Sequence, residues 1–324
     1  MQLSPKARNR LLSGSVAITA IVAGWCWLGR EPAAVVREIS TLENITLDSP
    51  DRHQVERLRP QIAEALGLSA TSPGARRIEI LRDFKSSLSE PEHEALLAAL
   101  MEPRPPGVSE GWFSEYFHSI ASLMQSQEGD RQMFARVLAT VVRDPSRDGV
   151  VRDYAIQHLR QVWDRTDRDG ELRSSIEATF RELCSADSGV SPSALLSLHL
   201  LGTPAGVDGP ELSTASPRSY AVDDAELEPL VLGILQQAPS ASAISARMTA
   251  CRVAGDRGLN AAGSHLLEIA RNHSEHALVR MAAVNAIRRI GNSPDLASLA
   301  ALEPGDQRVA YAIRSALATQ TLPE

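Results

Sequence analysis

Four segments of this chain can be laid on one another, and the repeat they form restricts the fold more than any other feature of the sequence. They are VRDYAIQHL at 151–159, ARMTACRVA at 246–254, VRMAAVNAI at 279–287 and RVAYAIRSA at 308–316. In the first three an arginine precedes an alanine by three positions: Arg152 and Ala155, Arg247 and Ala250, Arg280 and Ala283. The fourth keeps Ala312 but has Val309 where the arginine would fall. Starts at 246, 279 and 308 lie 33 and 29 residues apart, and a weaker copy, SPSALLSLH, occupies 191–199. Each copy follows another amphipathic stretch, such as Phe134 to Val142, Leu227 to Leu235 or Leu266 to Ile269. The unit is thus two antiparallel helices. Neither can bury its apolar face alone, so neighbouring hairpins must stack into a continuous core. The fold class expected is all-α, an α-solenoid of antiparallel helix hairpins.

The stretch VRMAAVNAIRRIG at 279–291 resembles the second helix of a HEAT-like repeat, with an arginine after the turn, a small-residue face and a closing glycine. The likeness is good over about 240–318, weaker over 130–202 and absent before 105. It implies that Arg152, Arg247 and Arg280 join a ladder of polar contacts between repeats, a structural row and not a catalytic one. Composition agrees with helices: aromatics are 4% of the 324 residues, whereas strands favour aromatic and β-branched side chains.

Residues 11–29, LLSGSVAITAIVAGWCWLG, carry no charge and as a helix would be about 28 Å long, near the thickness of a bilayer core. Lys6, Arg8 and Arg10 precede them, and Trp25 and Trp27 sit where an aromatic belt would lie. The positive-inside preference then predicts a cytoplasmic stub at 1–10, a transmembrane signal anchor at 11–29 and everything beyond it outside. The localisation expected is a single-pass protein of a bacterial inner membrane with a periplasmic body. The alternative is secretion to the periplasm after cleavage of a signal peptide near Val22 and Gly24.

Residues 30–48 read as a juxtamembrane tether and 49–105 as a helical N-terminal region. Ser49 and Pro50 signal a helix start, Val55, Leu58, Ile62 and Ala65 give it a face, and Gly67 gives it a stop. Ser72 and Pro73 open a second helix and Ser89 a third, expected to pair with each other. The run Pro103, Arg104, Pro105, Pro106, Gly107 cannot continue a helix and marks the boundary before an array at 106–324. Within that array, 203–224 lacks an apolar period and reads as a loop insertion.

Functional signals are sparse. The stripe Trp112, Phe113, Tyr116 and Phe117 has helical period; it fits a core face, and it is also the candidate protein-binding set. No phosphate loop, nucleophile elbow, HExxH helix or paired CxxC is present. His265, Glu268, His273 and His276 are the nearest approach to a metal site, but a solvated turn accounts for them, so neither metal nor cofactor is expected. Asp164, Asp167, Asp169, Asp223 and Asp224 read as helix caps, and Cys184 and Cys251 as buried thiols. Net charge is −7, and setting aside the four cations of the first thirty residues leaves −11, which argues against nucleic acid as a partner. The function expected is a non-enzymatic, membrane-tethered scaffold that binds a protein partner of the cell envelope. The alternative is an enzyme accessory or a lyase-like HEAT protein holding a small-molecule or chromophore ligand.

Overall fold

The computed structural model describes residues 42–47, 52–68, 73–166, 170–185, 189–203 and 220–318, and every regular element among them is helical. In chain order the helices are α1 (Arg52–Val55), α2 (Pro60–Leu66), α3 (Gly74–Asp83), α4 (Glu90–Met101), α5 (Glu110–Ser126), α6 (Arg131–Arg143), α7 (Gly149–Asp164) and α8 (Glu171–Ser185). They continue as α9 (Ser191–Leu200), α10 (Asp224–Leu235), α11 (Ile244–Arg257), α12 (Gly263–Arg271), α13 (Ala277–Ile290), α14 (Ser293–Ala300) and α15 (Gln307–Ala318).

From α2 onward the helices pack in consecutive pairs, α2 with α3 through α14 with α15. The second members pack in order, α3 on α5, α5 on α7 and so on to α15, and make one layer. The first members make the other, with α8 and α10 bridged by the Arg181–Glu226 ion pair at 2.5 Å. One buried apolar cluster runs through the stack from Leu42 to Ala316. The molecule is therefore all-α, with the layered pairing that a helical solenoid requires.

Pairing extends ahead of residue 105, where the repeat likeness fades. The helix expected from Ser49 to Gly67 is instead broken into α1 and α2, because Pro60 has no N–H to donate and holds Arg59 extended (φ −61°, ψ 143°). Gly67 does end α2, at φ 73° in the left-handed region. The expected second and third helices, α3 and α4, are not partners: α3 pairs back with α2, and α4 pairs forward with α5. The second helix is short: α3 ends at Asp83, and Leu88 lies in the connection to α4. The proline-rich run at 103–107 is the turn that joins α4 to α5, and the core crosses it from Leu100 to Phe113.

Among the described residues no helix is long and apolar enough to cross a membrane. The expected placement in a bacterial inner membrane with a periplasmic body is accordingly withdrawn. Residues 1–10, 11–29 and 30–41, on which it rested, lie outside the described residues. What is described of the expected tether, residues 42–47, is a strap without helix or strand, held against α6. Leu42 is buried, the Ile45 N–H donates to Thr140 Oγ1 at 3.1 Å, and Arg143 Nη1 donates to the Leu42 carbonyl at 2.6 Å. The loop insertion leaves the stack at Thr203 and returns at Tyr220, its ends joined by the Ala221 N–H to the Leu201 carbonyl at 3.0 Å; α10 has begun by Asp224. Residues 204–219 lie outside the described residues.

Candidate functional site

A cavity of about 730 Å³ opens where the start of α4 faces the turn between α5 and α6. The local sequence builds it in three steps. Ser89 and Glu92 form a reciprocal capping box that fixes the first turn of α4. Burial alone would raise the Glu92 carboxyl, but hydrogen bonds from Arg59 and Ser89 outweigh it and hold the group down at about 2. At the far side Asp130 caps α6 by accepting from the Met133 N–H at 2.9 Å. The Leu88 N–H donates to Gln127 Oε1 at 3.1 Å and ties the approach to α4 onto the end of α5.

The floor is apolar, from Leu88, Leu97, Ala98, Met124 and Met133, and Leu47 of the strap adds one wall. Around it stand Glu90, Glu94, Glu128 and Asp130, with no lysine or arginine in the lining. His93 is the other titratable group, and burial lowers its pKa, so the imidazole is neutral at pH 7. Gly129 passes close beside it: a Cβ there would lie 2.6 Å from His93 Cε1 and 2.9 Å from Nδ1. A side chain at 129 would displace the imidazole.

The aromatic stripe lies elsewhere. Phe113, Tyr116 and Phe117 are buried in the chain's own core, and Trp112 stacks on Tyr116 at 4.9 Å. Tyr116 Oη donates to the Ala65 carbonyl at 3.1 Å, so the stripe is the surface by which α5 docks on α2 and α3. Of the four residues only part of Trp112 is left for a partner to reach.

The repeated arginines have a definite local task. Arg152 Nε donates to the Val142 carbonyl at 2.8 Å, and Arg280 Nε to the Ala270 carbonyl at 3.0 Å, ten residues back in both. Arg247 Nη1 donates to the Leu235 carbonyl at 3.0 Å and also to that of Gln237. Each guanidinium thus caps the C-terminal end of the first helix in its own pair, supplying donors to carbonyls that have no helical partner. Two also reach the next pair: Arg280 Nη2 donates to the Pro304 carbonyl at 2.7 Å, and Arg247 lies 2.7 Å from Glu275, both side chains almost fully buried. Ala155, Ala250, Ala283 and Ala312 are buried in the layer behind them.

The remaining candidates are dispersed. His265 meets Gln236 at 3.3 Å, His276 caps α13 through the Leu278 N–H, and His273 packs beside Gly305. No group of three or more His, Cys, Asp or Glu positioned to hold a metal is found among the described residues. Asp223 caps α10, but Asp164 is the last residue of α7, not a start cap, and burial raises its pKa. Asp167 and Asp169 lie outside the described residues. Cys184 and Cys251 are free buried thiols, and burial pushes Cys251 up to about 12.

Sequence reasoning missed the cavity and a row of histidines in the second layer, of which His158 and His199 are buried and His118 is half-buried. His118 on α5 and His158 on α7 share a ring-nitrogen contact of 3.2 Å, and burial drives His158 down to about 3. His199 on α9 is completely buried, with Nδ1 accepting from Arg257 Nε at 3.0 Å and Nε2 facing Asp256 Oδ2 at 3.7 Å. Spacings of 40 and 41 residues between the three were the available signal.

No family model matches this chain, and no curated protein does. A solved structure of human deoxyhypusine hydroxylase in complex with glycerol is similar at 18% identity, over 82% of this chain and 95% of that one, with a TM-score of 0.32. A likeness so slight assigns no activity. The expectation that this chain is non-enzymatic rested on missing motifs, which do not exclude catalysis on a helical stack, and it is withdrawn.

Proposed function

We propose that the chain is a HEAT-like α-solenoid that holds a ligand in the cavity between the start of α4 and the α5–α6 turn. The observation that carries this reading is the cavity itself, whose 730 Å³ falls within the range of about 300–1,000 Å³ common to small-molecule sites. It joins an apolar floor to a set of polar groups at the opening, as such sites do. The arginine caps support the HEAT-like assignment, because they recur at one position in three of the pairs and tie the two helices of each together. A fragment panel screened by ligand-observed NMR against the full chain should yield binders that Met133→Trp, which fills the floor, releases. A panel with no binders, or binders indifferent to that substitution, would sink the proposal.

A second reading, a binding surface for a protein partner, is favoured by the strap. The side of α6 that carries Thr140 already takes an irregular chain segment, with Leu42 buried and a backbone N–H satisfied by Thr140. A partner supplying an apolar extended segment would use the same physics. Competition between a free peptide of residues 40–48 and a captured partner tests it; a partner unaffected by excess peptide would count against this surface.

A further inference from the structure

We infer that the ligand of this cavity is a small organic cation with an apolar body, an alkyl- or arylalkyl-ammonium. The inference rests on the ligand-holding reading above and names the chemical class that the site selects.

The floor and the rim make separate demands. Leu88, Leu97 and Met133 offer apolar surface, which rewards removal of a hydrocarbon body from water. Glu90, Glu94, Glu128 and Asp130 surround that surface, and no lysine or arginine lines the cavity to balance them. Asp130 is occupied in part as the cap of α6. The side-chain carboxylates of Glu90, Glu94 and Glu128 have neither a hydrogen-bond nor an ion-pair partner among the described residues. His93 adds no positive charge at pH 7, because burial favours the neutral ring.

Three kinds of guest can be compared against this arrangement. An anion would enter a field of one sign and be repelled. A neutral apolar molecule would cover the floor and leave the carboxylates as they are. A cation with an apolar body uses both, its hydrocarbon on the floor and its charged end among the carboxylates at the mouth. The carboxylates are solvent-exposed, so each contributes modestly and in a salt-dependent way, and the preference comes from several acting together. The cavity volume suits a small molecule more closely than a folded partner, whose interface would extend well beyond the opening.

The test uses three matched probes, 4-phenylbutylamine, 4-phenylbutanol and 4-phenylbutyrate, titrated calorimetrically into the full chain at pH 7. The amine is expected to bind about tenfold more tightly than the alcohol, and the carboxylate most weakly. Replacing Glu94 and Glu128 together by Gln should cut the amine's advantage to about threefold, and replacing Glu90 as well should remove most of what is left. Raising salt from about 0.01 M to about 1 M, which shortens the screening length from about 30 Å to about 3 Å, should likewise remove most of the amine's advantage. Equal affinities of amine and alcohol in the unmodified chain would overturn the inference while leaving a ligand-holding cavity in place. Failure of all three probes, with Met133→Trp making no difference, would overturn both. Displacement of the amine by a lysine-rich peptide that binds more tightly at equal concentration would also overturn it, since the selected class would then be a polypeptide.

Discussion

The pairs before the insertion and the pairs after it solve one packing problem with different materials. In α5 through α9 the space between helices is filled by bulk: Phe113, Phe117, Trp163 and Phe180 are all buried. In α11 and α13 the interface is made of Ala250, Ala254, Ala283 and Ala286, and the backbones come so near that a Cβ on Gly255 would lie 2.9 Å from Ala286 Cα. Close approach leaves few acceptable side chains, so the same small residues recur and the repeat can be read. Wide spacing can be filled in many ways of similar volume, so the pairs before the insertion share a fold while their sequences drift apart.

Four measurements would break or sharpen that contrast. Ala283→Asp places a charge without a partner in the tight interface, and should cost about 4 kcal/mol or more in urea denaturation. Amide exchange should show the loss concentrated in α11 to α15; protection lost evenly along the chain would mean that the two halves do not differ in this way.

Acidification should act chiefly on the other half. His158 titrates at about 3 in the folded protein against 6.5 when free. Between those values the unfolded chain binds more protons than the folded one. Stability present above pH 6.5 is therefore lost progressively as pH falls toward 3, by an amount on the order of 5 kcal/mol. His158→Gln should flatten that slope, and an unaltered acid profile would contradict the buried neutral ring.

The arginine caps give a smaller and graded effect. Arg280→Ala removes bonds to two carbonyls in two pairs and is expected to cost about 3 kcal/mol, whereas Arg152→Ala, with one such bond, should cost about 2 kcal/mol. Equal losses would argue that the reach to Pro304 contributes nothing. Smallest of all, Gly255→Ala and Phe117→Leu should each cost between about 1 and 2 kcal/mol. Adding one methyl group in the tight half would then be as harmful as removing three carbons, half of a ring, in the loose one. Thermal melts of the two variants side by side decide it.

Legibility in the sequence follows the same line. Helical class and the pairs from α11 to α15 follow from small-residue periodicity. The earlier pairing does not, because Pro60 interrupts an otherwise continuous apolar face and the turn at 103–107 has the composition of a domain linker. The arginines' recurrence is visible in sequence, but their local target is not: a carbonyl ten residues back identifies itself only once the hairpin is closed. The cavity was out of reach for a related reason. Its walls come from residues 47, 88–98, 124 and 128–133, and nothing in their local pattern brings them together.

The strap has a mechanical consequence. Because Leu42 and Ile45 are fastened to α6, and Arg143 ties that fastening to Glu182 of α8, the first described segment is held midway along the stack and not at its first pair. Tension drawn on that segment would load the strap lengthwise, as a shear pin is loaded, and α2 to α4 would feel no pull until the pin gave way.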